Sequence, residues 1–155
     1  MLEDVAIISV LLIASLLLIA STKPDTFRVQ RKARIKVLPE RIFPHINDFH
    51  SWGAWSPWDK KDSTMRRTYS GAASGLGAAY EWKGNKAVGQ GRMEITCSSP
   101  YSRVTLRLDI AKPFETHNIV EFSLDAIGDS TDVTWAMHGP MSIIFRIMSL
   151  FYSMD

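Results

Sequence analysis

A single cysteine, Cys97, excludes an intramolecular disulfide and leaves no cysteine pair for a metal. Because Cys97 falls in a strand-like run, a small buried thiol is expected. Charge of one sign is also missing. Eighteen Lys and Arg stand against sixteen Asp and Glu, a formal net charge of +2, so the chain has no global electrostatic footprint for nucleic acid. The four histidines, His45, His50, His117 and His138, form no metal-binding pattern: His45 and His50 are five apart, off the spacing of one helical face, and no HExxH occurs. One glycine-rich segment is Gly71-Ala72-Ala73-Ser74-Gly75-Leu76-Gly77. A strand-like run follows it, not the helix start that a phosphate loop requires. Ser74 likewise lacks the strand-turn-helix setting of a nucleophile elbow. The segment reads as a tight hairpin. No metal, no resident cofactor and no catalytic constellation is expected, and whether the protein is an enzyme is open.

What the chain does have is a long apolar run. Val5 to Ala20 contains only Val, Ala, Ile, Leu and Ser, which is near the lower edge for a bilayer span, and Ser21 and Thr22 extend it. A cleaved signal peptide would need a basic start, but Glu3 and Asp4 precede the run. Lys23, Arg28, Arg31, Lys32, Arg34 and Lys36 follow it against one acid, Asp25, and positive flanks stay cytoplasmic. The expectation is a tail over 1–4, a single-pass anchor over 5–22 with its N-terminus outside, a linker over 23–26 and a cytoplasmic domain over 27–155. A peripheral hydrophobic helix is the alternative to the span. The 155 residues suit one domain with a real core.

Phe27 to Val37 alternates, with Arg28, Lys32, Arg34 and Lys36 on the polar side and Arg31 among the apolar positions. Arg31 is either a pocket group or lies at the strand's wet end. Pro39 stops this strand, and Glu40 to Phe49 reads as a short helix in which Pro44 is tolerable only in the first turn. Trp52, Trp55 and Trp58 follow, interrupted by Gly53 and Pro57. They read as a compact aromatic plug closing one end of a curved sheet, either as core or stacked on a ligand. Six period-two runs come next: Met65–Tyr69, Ala78–Trp82, Gly89–Ser98, Arg103–Ala111, Glu115–Leu124 and Thr131–His138. Turn signals at Gly84-Asn85, Ser99-Pro100, Lys112-Pro113 and Gly128-Asp129 separate them. From Met141 the period becomes helical, with Ile143, Ile144, Ile147, Met148, Leu150, Phe151 and Met154 on one apolar face and no stop signal before Asp155.

Particular segments carry a family likeness: Ile46-Asn47-Asp48-Phe49, Trp52, Trp55-Ser56-Pro57-Trp58, Tyr69-Ser70-Gly71, Gly75-Leu76-Gly77, Tyr80-Glu81-Trp82, Gly91-Arg92-Met93, Lys112-Pro113-Phe114 and Thr134-Trp135-Ala136-Met137-His138-Gly139-Pro140. In this order they resemble the polyketide cyclase/dehydrase branch of the SRPBCC superfamily, which also holds START lipid-transfer domains and the birch-pollen allergen fold. The likeness runs from Phe27 to about Asp155. It implies an α+β helix-grip: a seven-stranded, curved antiparallel sheet around a C-terminal helix, with an apolar cavity between them. Set against the family's longer closing helix, this one looks cut short.

Strand parity then nominates the cavity lining. Thr116, Asn118, Val120, Phe122 and Leu124 share a face, as do Val104, Leu106, Leu108 and Ile110, and Val133, Trp135 and Met137. With Trp52, Trp55, Trp82 and Ile147, the candidates for ligand contact are Leu106, Leu108, Thr116, Asn118, Val120, Phe122, Trp135 and Met137. Thr116 and Asn118 either bind ligand or satisfy nearby backbone. Glu81 and His138 fall on the opposite face. The function expected is membrane-tethered binding of a hydrophobic small molecule, lipid or isoprenoid-like. Arg28, Lys32, Arg34 and Lys36 would face anionic headgroups, each adding about 1 kcal/mol. A cyclase-like enzyme and a protein-interaction module are the alternatives.

Overall fold

The computed structural model describes residues 2–148. Helix α1 (Leu2–Ser21) leads to strand β1 (Thr26–Ile35), helix α2 (Pro39–Asn47), a 3-10 turn (Phe49–Ser51) and the single-turn helix α3 (Trp52–Trp55). Strands β2 (Arg66–Gly71), β3 (Ala78–Lys83), β4 (Gln90–Ser99), β5 (Arg103–Lys112), β6 (Thr116–Ile127) and β7 (Ser130–Pro140) follow, then helix α4 (Ile143–Met148). The expected α+β class is therefore met, with all seven strands in one sheet of order β1-β7-β6-β5-β4-β3-β2. From β2 to β7 each neighbouring pair is antiparallel. The chain divides into two compact units, Arg28–Gly139 and Met1–Phe27 with Pro140–Asp155.

In the smaller unit α1 and α4 touch, and the Met141 amide donates to the Asp25 carbonyl at 2.7 Å. Most apolar side chains of α1 stand exposed, from Val5, Ile8 and Leu11 to Leu18, which is 69% exposed, while Leu16 is half-buried and Ala20 buried. The segment expected as an anchor is helical, but the span is not supported: among the described residues no helix is long and apolar enough to cross a membrane. The uncharged stretch from Val5 to Ser21 reaches about 25 Å at helical rise, against a hydrocarbon core of about 30 Å. Leu150, Phe151 and Met154 lie outside the described residues.

The larger unit is built on the sheet's two faces. Register aligns Ile95 with Leu106 and Leu106 with Val120, then Val120 with Met137, so period-two alternation places one apolar row beside another. Against this inner face pack Phe43 and Ile46 of α2, then Phe49 and Trp52, forming one core with Met65, Tyr80, Ile95, Val104, Leu106, Val120, Phe122 and Leu124. Pro39 occupies the first helical position of α2, where a missing N–H costs nothing.

Several sequence expectations are corrected. Pro44 lies inside α2, beyond its first turn; both it and Glu40 are exposed, so the carbonyl left without a donor faces water. The aromatic plug is narrower than three rings. Trp52 is buried, whereas Trp55 is 38% and Trp58 58% exposed, because α3 lasts one turn and Pro57 leads the chain outward. Lys61 covers the Trp58 ring at 4.1 Å. Cys97 is exposed. A register shift between Ile95 and Cys97 inserts an extra residue, as a β-bulge does, and so Ser98 takes the inward place and donates to Asn47 Oδ1 at 2.7 Å. Arg31 is exposed and donates to the Gln30 carbonyl, so it is no pocket group. The glycine-rich segment does form the β2–β3 turn, with positive φ at Gly71, Gly75 and Gly77.

Candidate functional site

The inner face is covered unevenly. At one end α2, the 3-10 turn and α3 seal Val104, Phe122 and Leu124 completely, while toward the other end Trp82, Met93, Leu108, Trp135 and Met137 are only partly buried. The partly covered half includes the starts of β4 and β6 and the ends of β3, β5 and β7. Of the sequence-nominated residues, Trp82, Leu108, Thr116, Trp135 and Met137 lie partly buried here, whereas Leu106, Val120 and Phe122 belong to the buried core. Leu106, Leu108, Val120, Phe122, Trp135 and Met137 share the face with Thr116 and Asn118. Trp52 belongs to the sealed end: the indole N–H donates to the Ile46 carbonyl at 3.1 Å, and the ring meets Phe122 edge-on at 6.1 Å. Trp55 sits at the rim, also edge-on to Phe122, its N–H bonded to the His45 carbonyl. Ile147 is half-buried on α4, which belongs to the other unit.

Two glycines make room for the larger groups. A Cβ on Gly91 would lie 2.5 Å from the Trp82 ring and 2.5 Å from the Asp109 carbonyl. The indole thus packs against bare backbone, tied by its N–H to the Val88 carbonyl at 3.0 Å. Gly91→Ala should therefore lift Trp82 and destabilise by about 2 kcal/mol, the scale of an overpacked core. Near-ultraviolet circular dichroism with urea unfolding checks this, and an unchanged tryptophan signal would show the ring lies elsewhere. The space above Gly139 is similarly filled by the Asn118 carboxamide.

The sequence reading missed a polar cluster at the β2 edge of the same face. Arg67 opposes Trp82, and Tyr69 opposes Tyr80. Arg67 pairs with the buried Asp59 through both Nη2 and Nε, the latter at 2.7 Å. Burial pushes the Tyr80 phenol up to about 12, so it stays protonated and is no general base at neutral pH. Parity with Trp82 would have flagged Tyr80, but nothing local marks Asp59 as the partner of Arg67. Asp62 is a loop staple: its carboxylate accepts from the Thr64 hydroxyl and amide and from the Asn85 amide. Those donors hold its carboxyl below the usual range.

The outer face is a lattice of paired charges. Arg92 and Arg107 share Glu94, and Arg107 and His117 share Asp109. His138 is near Glu121 and Glu81 near Arg92, both outward as parity requires. The four basic residues expected to face a membrane belong to this lattice. Arg28 is 3.7 Å from Glu121, Lys32 2.9 Å and Arg34 2.6 Å from Asp132, and Lys36 3.8 Å from Asp129. These contacts, with the Thr131 hydroxyl on the Val37 carbonyl, run β1 antiparallel to β7.

Hydrogen bonds from Arg34 and then Lys32 hold the Asp132 carboxyl far below the usual carboxylate range. A depressed folded pKa contributes stability above the unfolded value of about 3.9, and that stability is lost as pH falls toward the folded pKa. Asp132→Asn should thus be less stable at pH 7 and show a flatter decline below about pH 4. Urea unfolding from pH 2.5 to 7 tests this; parallel profiles for parent and variant would exclude the role.

An open groove of about 400 Å³ also lies on the outer side, where Trp82, Gly91 and Ala111 line it together with charged residues such as Arg66, Glu81, Arg92 and Asp109. No group of three or more His, Cys, Asp or Glu among the described residues could hold a metal ion.

Comparisons with known proteins agree with this geometry. Residues 26–146 match the family model described as polyketide cyclase / dehydrase and lipid transport. No curated protein matches. Among solved structures, the Mll3558 protein from Rhizobium loti shares 14% identity over 74% of this chain and 78% of its own, with TM-score 0.59. The major latex-like protein 151 from Panax ginseng shares 11% over 81% and 94%, with TM-score 0.57. Ara h 8.0201 shares 8% over 81% and 90%, with TM-score 0.56. At these identities the likeness concerns the fold, which is that of the SRPBCC, birch-pollen-allergen-like group. A sheet of this order with one apolar face, and a family match over most of the chain, lead to one conclusion: the protein belongs to the polyketide cyclase/dehydrase and lipid transport family.

Proposed function

We propose that the protein binds a hydrophobic small molecule, of lipid or isoprenoid character, on the partly covered half of the sheet's inner face. The observation that carries this reading is the uneven burial there: Trp82, Met93, Leu108, Trp135 and Met137 remain partly open beside a fully sealed core. Apolar side chains grouped around few polar atoms are what such a site requires. The family description points the same way.

The same reading places the protein at a membrane. Helix α1 is apolar on every side, and a helix of that kind needs lipid or protein around it. Ser9 and Ser15 donate their hydroxyls to the Val5 and Leu11 carbonyls, which hides their polarity as an apolar medium demands. Thr22 to Asp25 link α1 to β1, a reach of about 14 Å. The basic flank after α1 favours the cytoplasmic side for the domain.

The test is native mass spectrometry of the full chain released gently from detergent, with organic extraction of what co-purifies. A defined, stoichiometric lipid is the expected result. A folded but empty protein that also takes up no offered lipid would remove the ligand-binding reading.

A further inference from the structure

Among the described residues two buried side-chain atoms lack a hydrogen-bond partner, Asn118 Oδ1 on the inner face and His138 Nδ1 on the outer, and Asn118 is the one within the candidate site. It is 5% exposed and sits on the inner face of β6, directly across from Leu108. Its Nδ2 donates to Thr116 Oγ1 at 3.2 Å, but its Oδ1 is buried with no hydrogen-bond partner among the described residues. A carboxamide offers two donors and an acceptor with two lone pairs; here a single donor is used. Burying an acceptor unpaired costs its hydration and returns nothing. The position is nonetheless built for it. A side chain on Gly139 would occupy the place of Oδ1, so the bare backbone of β7 is what admits the carboxamide. Leu108, Val120 and Met137 surround it with apolar groups.

Resting on the ligand-binding reading above, we propose that Asn118 and Thr116 receive a neutral hydroxyl, so that the ligand is a hydrophobic alcohol. A hydroxyl both donates and accepts. It can give its proton to Oδ1 and take one from the rotatable Thr116 hydroxyl, and it would serve equally if the carboxamide were turned over. A carboxylate only accepts, and would set its lone pairs against those of Oδ1. The inner-face cation that could attract one, Arg67, is on β2, four strands away, and is already bound to Asp59. An ether or a hydrocarbon brings no proton and leaves Oδ1 as it is. The neighbouring inner-face residues carry no acid to balance an ammonium.

The experiment measures binding of dodecanol, dodecyl methyl ether and dodecanoate to the full chain in detergent, by tryptophan quenching, for the parent, Asn118→Leu and Thr116→Val. Melting temperature is recorded for each variant. The parent should bind the alcohol at least about tenfold more tightly than the ether, because a site built around a polar group rejects the analogue lacking its partner. In Asn118→Leu the two affinities should converge while the melting temperature does not fall, since an unpaired acceptor has been removed. Thr116→Val, which leaves Asn118 in place, should narrow the preference part-way and serves if the leucine variant does not fold. Equal binding of alcohol and ether by the parent overturns this inference and leaves the ligand-binding reading standing. Tighter binding of dodecanoate, or a preference kept in both variants, overturns it as well. Binding of none of the three overturns both together.

Discussion

Replacing Trp52 by alanine should lower the stability of the sheet domain by about 4 kcal/mol, the upper range for losing a buried aromatic. For a chain of this size that is a fall of roughly 10 °C in melting temperature. Trp52 joins three parts of the core at once. Its ring meets Phe49 at 5.3 Å and Phe122 at 6.1 Å, and its N–H holds the last turn of α2 through Ile46. Removing it opens a cavity between helix and sheet that neither side can close, because β6 is fixed on both edges by β5 and β7. Trp58→Ala is the control: that ring stands in solvent under Lys61, and its loss should change stability by no more than about 0.5 kcal/mol. Urea unfolding of the two variants decides the matter, and equal losses would mean that the three tryptophans act as one plug after all.

Asp59→Ala should cost nearly as much for a different reason. Its carboxylate is 8% exposed and the Arg67 side chain 29%. Losing one partner of a buried pair strands the other charge, typically at 3–5 kcal/mol; partial access of water to Arg67 brings the expectation to about 3 kcal/mol. Arg67→Met alone should also destabilise, by leaving Asp59 unpaired. The double variant should recover most of the loss, since replacing both charges removes the desolvation penalty with the attraction. A double-mutant cycle by urea unfolding reads this directly. Additive losses would show that the two residues contribute independently of the pair.

These two predictions also mark what could be read early and what could not. The inner face was legible because strand parity is a local rule: once Leu106 points inward, so do Val104 and Leu108. Partners across the sheet were not. Asp59 sits in a loop eight residues before Arg67, and no periodicity links them. The basic residues of β1 illustrate the same limit. Their common face follows from alternation, but the acids that meet them, Glu121, Asp129 and Asp132, come from the β6–β7 hairpin, more than ninety residues later. Cys97 shows how one inserted residue defeats parity, since a bulge reverses the facing of everything after it in that strand.

By itself the sequence determined the class of secondary structure at almost every segment, the apolar character of residues 5–20, and which side chains share a face. These follow from spacing, turn chemistry and composition, all of which act over a few residues. Only the tertiary structure decided which of three tryptophans is core, which cations are already paired, and which buried polar atoms lack a partner among the described residues. Each of those depends on what distant strands bring to the same place, and Asn118 above the bare backbone of Gly139 is the case where that juxtaposition bears most on function.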